Sequence, residues 1–234
     1  MPVIIDWTKN LWHRDLVADP IVHGWVLNLY RAGERYPQTI ADYFPAAHAP
    51  DPGLADDLRR HRRDEERHTA MYAHAIEALG QPVMEMEGAD VFNVVIRSFT
   101  GESFTIDEGD DADTKRRKLA HFLAHAHFLE KRIARSLHYH RDACERGGAT
   151  VAERVIEAVL RDEERHVSYT AAASRALLGR QEADRVFAHH RSAEAKANLI
   201  FSQRQVRAFV ERFGKRPTFY RFCAAVMERA AAYV

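Results

Sequence analysis

The pentapeptide Asp-Glu-Glu-Arg-His occurs twice in this chain, at positions 64–68 and 162–166. Each copy contains Glu-x-x-His: Glu65 with His68, and Glu163 with His166. On an α-helix, three residues advance about 300°, so the two side chains lie on one face a turn apart. A carboxylate and an imidazole placed that way can hold one metal ion together. A single pair would be weak, because 18 Glu and 14 His in 234 residues give roughly one Glu-x-x-His by chance. Two copies inside an identical pentapeptide, each at an inward position of a long helical segment, point to a paired metal site.

The elements that must position these residues are helices. Asp19-Pro20 predicts a helix start, an Asp cap with Pro in the first turn. That helix runs to about Phe44, has Leu27, Tyr30, Glu34 and Ala41 on one face, and kinks at Pro37, which has no N–H. A second helix starts at Asp51-Pro52 and ends at Gly80. Its inward stripe of Leu54, Leu58, His61, Glu65, His68, Tyr72, Ile76 and Leu79 is apolar at both ends and polar in the middle, which a plain core helix is not. Residues 81–113 form a long connection with a short helix near 90–99 and an acidic turn at 107–111. A third helix covers 114–144, with Leu119, Leu123, Ala126, Glu130, Ile133 and Leu137 inward. Gly147-Gly148 reverses the chain into a fourth, 150–178, with Val155, Val159, Glu163, His166, Thr170 and Leu177 on one face. Two more helices follow, at 181–213 and from Pro217 toward the end, while residues 1–18 read as a partly ordered arm. No segment alternates like a strand, so the fold class is all-α, in one domain spanning 1–234.

Glu34 lies 31 positions before Glu65, and Glu130 lies 33 before Glu163. Each sits in the preceding antiparallel helix, level with its partner motif. One Glu from each of two helices plus Glu-x-x-His from each of the other two is the ligand set of ferritin-like di-iron and di-manganese proteins. The chain resembles that superfamily over about residues 20–178. The resemblance implies a ferritin-like four-helix bundle with one long crossover, and leaves the additional C-terminal helices at 181–234 outside the bundle. It implies six metal ligands, Glu34, Glu65, His68, Glu130, Glu163 and His166, with Glu65 and Glu163 bridging. The cofactor implied is two Fe ions, and an oxygen-rich set of this kind also suits Mn or a mixed Mn/Fe pair. The fuller pattern Asp-Glu-x-Arg-His is similar to the motifs of bacterial multicomponent monooxygenases and acyl carrier protein desaturases. By that likeness Asp64 orients His166, Asp162 orients His68, and Arg67 and Arg165 brace both. In length and helix count the chain looks more like the aldehyde-deformylating oxygenases. Some members of these families place a Thr one turn after the helix-3 Glu; this chain has Ile133 and Ala134 there.

The activity implied is O2 activation to oxidise an organic substrate. Apolar residues around Leu27, Leu123, Ala126 and Val159 suggest a small or elongated apolar molecule. The chain has no flavin or iron–sulfur motif, so an external electron donor is implied. Only Cys144 and Cys223 are present, without C-x-x-C, which removes a rubredoxin-type iron site, a zinc ribbon and an iron–sulfur cluster. The alternatives are a ferroxidase or peroxide-scavenging ferritin- or rubrerythrin-like protein, or a non-enzymatic metal-binding module. The 34 basic and 34 acidic residues balance, so nucleic acid is not an expected partner. No apolar run nears the roughly 18 residues of a membrane span, and the first residues lack the features of a signal peptide. A cytoplasmic monomer or homodimer is the expectation. Among other residues, His61 reads as a hydrogen-bonded core histidine, with a proton-shuttle or extra-ligand role left open. Tyr30, Tyr72, Trp7, Trp12 and Trp25 read as packing residues. His121 and His125 form an i,i+4 pair on a solvated face, and His189-His190 reads as surface.

Overall fold

Seven α-helices are delimited in the computed structural model of the chain, which describes residues 2–86, 91–100, 105–218 and 221–222, and no strand occurs among them. They are α1 (Pro2–Val17), α2 (Pro20–Arg35), α3 (Pro52–Ala78), α4 (Phe92–Thr100), α5 (Ala112–Gly147), α6 (Thr150–Leu177) and α7 (Arg180–Phe213). Three aspartates start the helices that matter most. Asp19 accepts the Ile21 N–H at 3.0 Å, Asp51 that of Leu54 at 3.0 Å, and Asp111 that of Thr114 at 2.7 Å. Each satisfies a first-turn donor that has no partner within its helix. Gly148 closes α5 at φ 71°, a left-handed conformation that glycine adopts without a Cβ penalty, and turns the chain into α6.

Two expectations are corrected. The helix predicted to run to Phe44 with a kink ends at Arg35 and passes into a 3-10 turn at Tyr36–Thr39. Pro37 cannot donate to the preceding turn, and nothing beyond it restores the ladder. Residues 2–17, read as an arm, form α1. Its buried Leu16 joins Val22, Trp25 and Val26 of α2 and Phe209 and Phe213 of α7 in one apolar cluster. Tertiary burial, not local propensity, makes this segment a helix. The helix predicted from Pro217 lies largely outside the described residues, as does Cys223.

The long helix α6 packs against both α3 and α5, with α2 against α3, α1 against α5 and α4 against α7. Two apolar layers enclose the middle of this group. One contains Leu54 and Leu58 of α3 with Leu119, Phe122 and Leu123 of α5. The other contains Leu27, Tyr72, Ile76, Leu137, Ile156 and Val159. Between them, at 61–68, 130 and 163–166, the facing side chains are polar and buried. Among the described residues no helix is long and apolar enough to cross a membrane.

Leu58 is fully buried beneath that polar layer. Leu58→Ala removes its packing and leaves a cavity, so we expect a loss of about 2–5 kcal/mol. Asp51→Ala removes only the α3 cap, with an expected loss of about 1 kcal/mol. Urea unfolding followed by circular dichroism should rank the two in that order.

Candidate metal centre

Seven donor side chains from four helices converge between the apolar layers. They are Glu34 of α2, His61, Glu65 and His68 of α3, Glu130 of α5, and Glu163 and His166 of α6, none more than 5% exposed. One donor atom from each of Glu34, Glu65, His68 and Glu163 lies within 4.8 Å of all the others; the same holds for His61, Glu65 and His166. Glu65 belongs to both groups. Glu163 spans them as well, with Oε1 3.4 Å from His68 Nδ1 and Oε2 3.0 Å from His166 Nδ1. Glu130 Oε1 is 3.4 Å from His61 Nε2, on the side of the second group. All six residues named from the sequence are therefore in one place, with Glu65 and Glu163 shared and Glu34 and Glu130 on opposite sides.

The donor chemistry fits metal ions. His61 Nε2, Glu65 Oε1 and Glu163 Oε1 are buried without a hydrogen-bond partner. Buried polar atoms are seldom left unpaired, and these three face each other's side chains across one polar pocket. These are oxygen and imidazole donors with no thiolate, a set for hard or borderline divalent ions.

His61 is the residue that sequence reasoning did not assign. Its Nδ1 lies 2.8 Å from the Tyr169 hydroxyl, and its Nε2 lies 3.3 Å from Glu65 Oε1. In the tautomer whose Nδ1–H donates to Tyr169, Nε2 presents a lone pair to the second donor group. Burial and the neighbouring His166 push the imidazole well below its usual pKa, so it is a neutral donor. The available signal was its position one turn before Glu65, which makes α3 read His-x3-Glu-x2-His.

Around the donors lies a crossed ring of charges. Asp64 Oδ2 is 3.3 Å from His166 Nε2, and Asp162 Oδ2 is 3.1 Å from His68 Nε2. Each histidine thus turns Nε2 to the aspartate of the other motif and Nδ1 to the donor groups. Arg67 donates to Asp64 at 2.7 Å and also to Asp162; Arg165 donates to Asp162 at 2.7 Å and also to Asp64. A carboxylate on the far ring nitrogen fixes tautomer and orientation and makes the imidazole a better ligand. Burial pushes the Asp64 carboxyl up, but the hydrogen bond from His166 and the Arg165 and Arg67 charges hold it well below the usual range. Asp162 is lowered too, where the His68 and Arg165 hydrogen bonds outweigh burial.

Without metal the donors share protons. Burial, then the charges of the other glutamates, raises Glu65 and Glu130 well above the usual carboxylate range. Glu163 goes the other way: burial opposes its ionisation, but the charge and hydrogen bond of His166 and the nearby charge of His68 hold it ionised. Burial would discharge His68, yet the Glu163 carboxylate 3.4 Å from its Nδ1 and the Glu34 carboxylate bonded to the same nitrogen lift it to about 11.

Several other histidines are more buried than the sequence suggested. His125, His140 and His190 are at most 1% exposed, and His121 Nδ1 lies 3.1 Å from His190 Nε2, so only His189 of the 189–190 pair is on the surface. His23, His140 and Cys144 also place three donor atoms together. Tyr30 OH, His140 and His23 form a hydrogen-bonded string at 3.0 Å per step, and burial pushes the Cys144 thiol up to about 12. A cation there would first have to ionise that thiol without a countercharge, so this group is a neutral hydrogen-bonded core. The apolar lining expected around Leu27, Leu123, Ala126 and Val159 is solid packing. The cavity beside the centre lies elsewhere, bordered by Glu34, Tyr72 and Ile133. Comparison of the chain with family models, with curated proteins and with solved structures gives no match.

Metal binding at this centre must displace protons from Glu65, Glu130 and His68, whose pKa values are raised in the metal-free chain. Proton release should therefore accompany binding at pH 7, and apparent affinity should fall as pH falls. Calorimetric titration with Mn2+ in buffers of different ionisation enthalpy measures the release; a buffer-independent heat would contradict it.

Proposed function

We propose that the chain is a non-haem di-iron oxidoreductase built on a ferritin-like bundle, using O2 to oxidise a small organic substrate. Four carboxylates and three imidazoles, converging as two groups that share Glu65 and Glu163, carry this reading. One ion would be held by Glu34 and His68, the other by Glu130, His166 and His61, and both by the shared pair. Four carboxylates nearly balance two divalent cations, which lowers the cost of burying them. Two iron ions there supply redox equivalents for O2 and polarise what binds them; manganese would fit the same donors.

The chain's own residues do the rest. Asp64 and Asp162 hold the His166 and His68 rings with Nδ1 inward. Tyr169 anchors His61. The apolar layers at Leu58 and Ile156 exclude water. Glu34 lies both in the donor group and on the wall of a cavity of about 270 Å3, so a molecule filling that cavity would meet the centre at Glu34. This cavity favours an organic substrate over iron storage, which needs none. Electrons would come from an external donor.

Elemental analysis and Mössbauer spectroscopy of protein from iron-supplied cells should find about two coupled Fe per chain, as in two-metal sites. Uptake of hundreds of iron atoms would favour the storage reading instead. His61→Ala should lower metal content selectively, leaving about one ion bound tightly, whereas two tightly bound ions would remove His61 from the ligand set. Asp64→Asn and Asp162→Asn keep all donors and should cost about 10–100-fold in metal affinity or O2 consumption. Glu66 and Glu164 are exposed, so Glu66→Gln and Glu164→Gln should change little. Equal effects from both pairs would reduce the aspartates to surface charge.

A further inference from the structure

The cavity at Glu34 has a chemistry of its own. Its walls are mainly apolar, with Trp12, Trp25, Phe92 and Phe201 among them. Lys9 of α1 and Arg132 of α5 also line it, and Glu34 is the only carboxylate among the described lining residues. Neither cation makes an ion pair among the described residues. Burial, then the nearby Arg132 and Arg135, lowers the Lys9 ammonium to about 8. Gln205 of α7 lines the same cavity with both amide atoms buried and unpartnered. Half-buried cations without a salt bridge, beside an unsatisfied amide, are costly against apolar walls and call for an anion.

From this geometry we infer that the cavity binds a small amphiphilic monocarboxylate. Lys9 and Arg132 hold its carboxylate, and its apolar body fills the space that reaches Glu34. Glu194 faces Arg132 electrostatically and partly offsets its charge, so a single carboxylate suffices to balance the site. A volume of about 270 Å3 equals the liquid share of roughly nine waters, so the ligand has on the order of ten non-hydrogen atoms. That range covers medium-chain fatty acids and arylacetic acids. Calling this ligand a substrate rests on the di-metal reading above; its binding does not.

Isothermal titration of the full chain with octanoate, octan-1-ol and octylamine tests the inference, first metal-free and then iron-loaded. Octanoate should bind about tenfold or more tightly than octan-1-ol, the margin of a charge-assisted contact, and octylamine should not compete. The Lys9→Met/Arg132→Met double variant should lose that margin while binding octan-1-ol as before. Lys118→Met, a surface cation paired with Asp107 and Asp110, should keep it. Equal affinity for octanoate and octan-1-ol in the unaltered chain would overturn the inference, and so would no binding at all. These arms need no variant to fold. Octanoate preference in a chain that takes up no iron would leave the carboxylate site standing and remove the di-metal reading. Two bound irons without octanoate preference would do the reverse.

Discussion

Burying four carboxylates in one helix group is the constraint to which the rest of the structure answers. Within the larger donor group the atoms lie inside 4.8 Å of one another, where two like charges repel by about 3–4 kcal/mol at an effective dielectric of 20. Several such pairs together would match the roughly 5–15 kcal/mol that holds a whole domain folded. The bundle cannot keep all four ionised without countercharge. In the metal-free chain the compensation is protons, with Glu65 and Glu130 raised, Glu163 held ionised and His68 charged. Two divalent cations would supply it more completely. The same constraint explains the apolar layers, since water entering past Leu58 or Ile156 would weaken any hold the donors have on a cation.

The two pentapeptides work as one unit because each completes the other. Asp64 serves the His166 ring and Asp162 serves the His68 ring, while Arg67 and Arg165 each bridge both aspartates. α3 and α6 are thereby joined across the centre by opposite charges. Removing one aspartate would free one imidazole to rotate and leave both arginines with a single partner. The register between the helices is set at the donors themselves, so positional precision does not depend on the loops.

What could be read from the sequence follows from how far each interaction reaches. Glu65 with His68, and Glu163 with His166, are three residues apart on single helices, so helix geometry alone places each pair. Glu34 and Glu130 followed from the lengths of the two hairpins. The aspartate starts of α2 and α3 were legible because capping is local, whereas Asp111, read only as part of an acidic turn, caps α5. The rest depends on burial by distant segments. α1 is a helix because α2 and α7 cover Leu16 and Trp12. His190 is buried because α5 brings His121 and His125 against it. His61 was indistinguishable from a core histidine until Tyr169, 108 positions away, held its Nδ1 and left Nε2 aimed at Glu65. The cavity was misplaced for the same reason: inward positions of α5 and α6 predict packing, whereas the space opens where α1 and α7 fail to fill the groove beside α2.

The repeat in the donors does not extend to their surroundings, and that difference assigns the two sides different tasks. Glu130 sits in the middle of the 36-residue α5, and its side of the centre is closed by His61, with the Phe44 ring tilted against it at 4.7 Å and Tyr169 bonded to it. Glu34 sits in the last turn of the 16-residue α2, directly before the helix gives way at Pro37. Its carbonyl accepts from Gln38 at 3.3 Å instead of from a continuing helix. A side chain at a helix end, beside a cavity, can shift its carboxylate at less cost than one locked mid-helix among aromatic rings. On the proposed reading, the ion at Glu130 would have the fuller nitrogen-rich shell of His61 and His166. The ion at Glu34 would have one imidazole and the cavity. Substrate and O2 would then meet on the Glu34 side, and the third histidine would keep the other ion in place while they do.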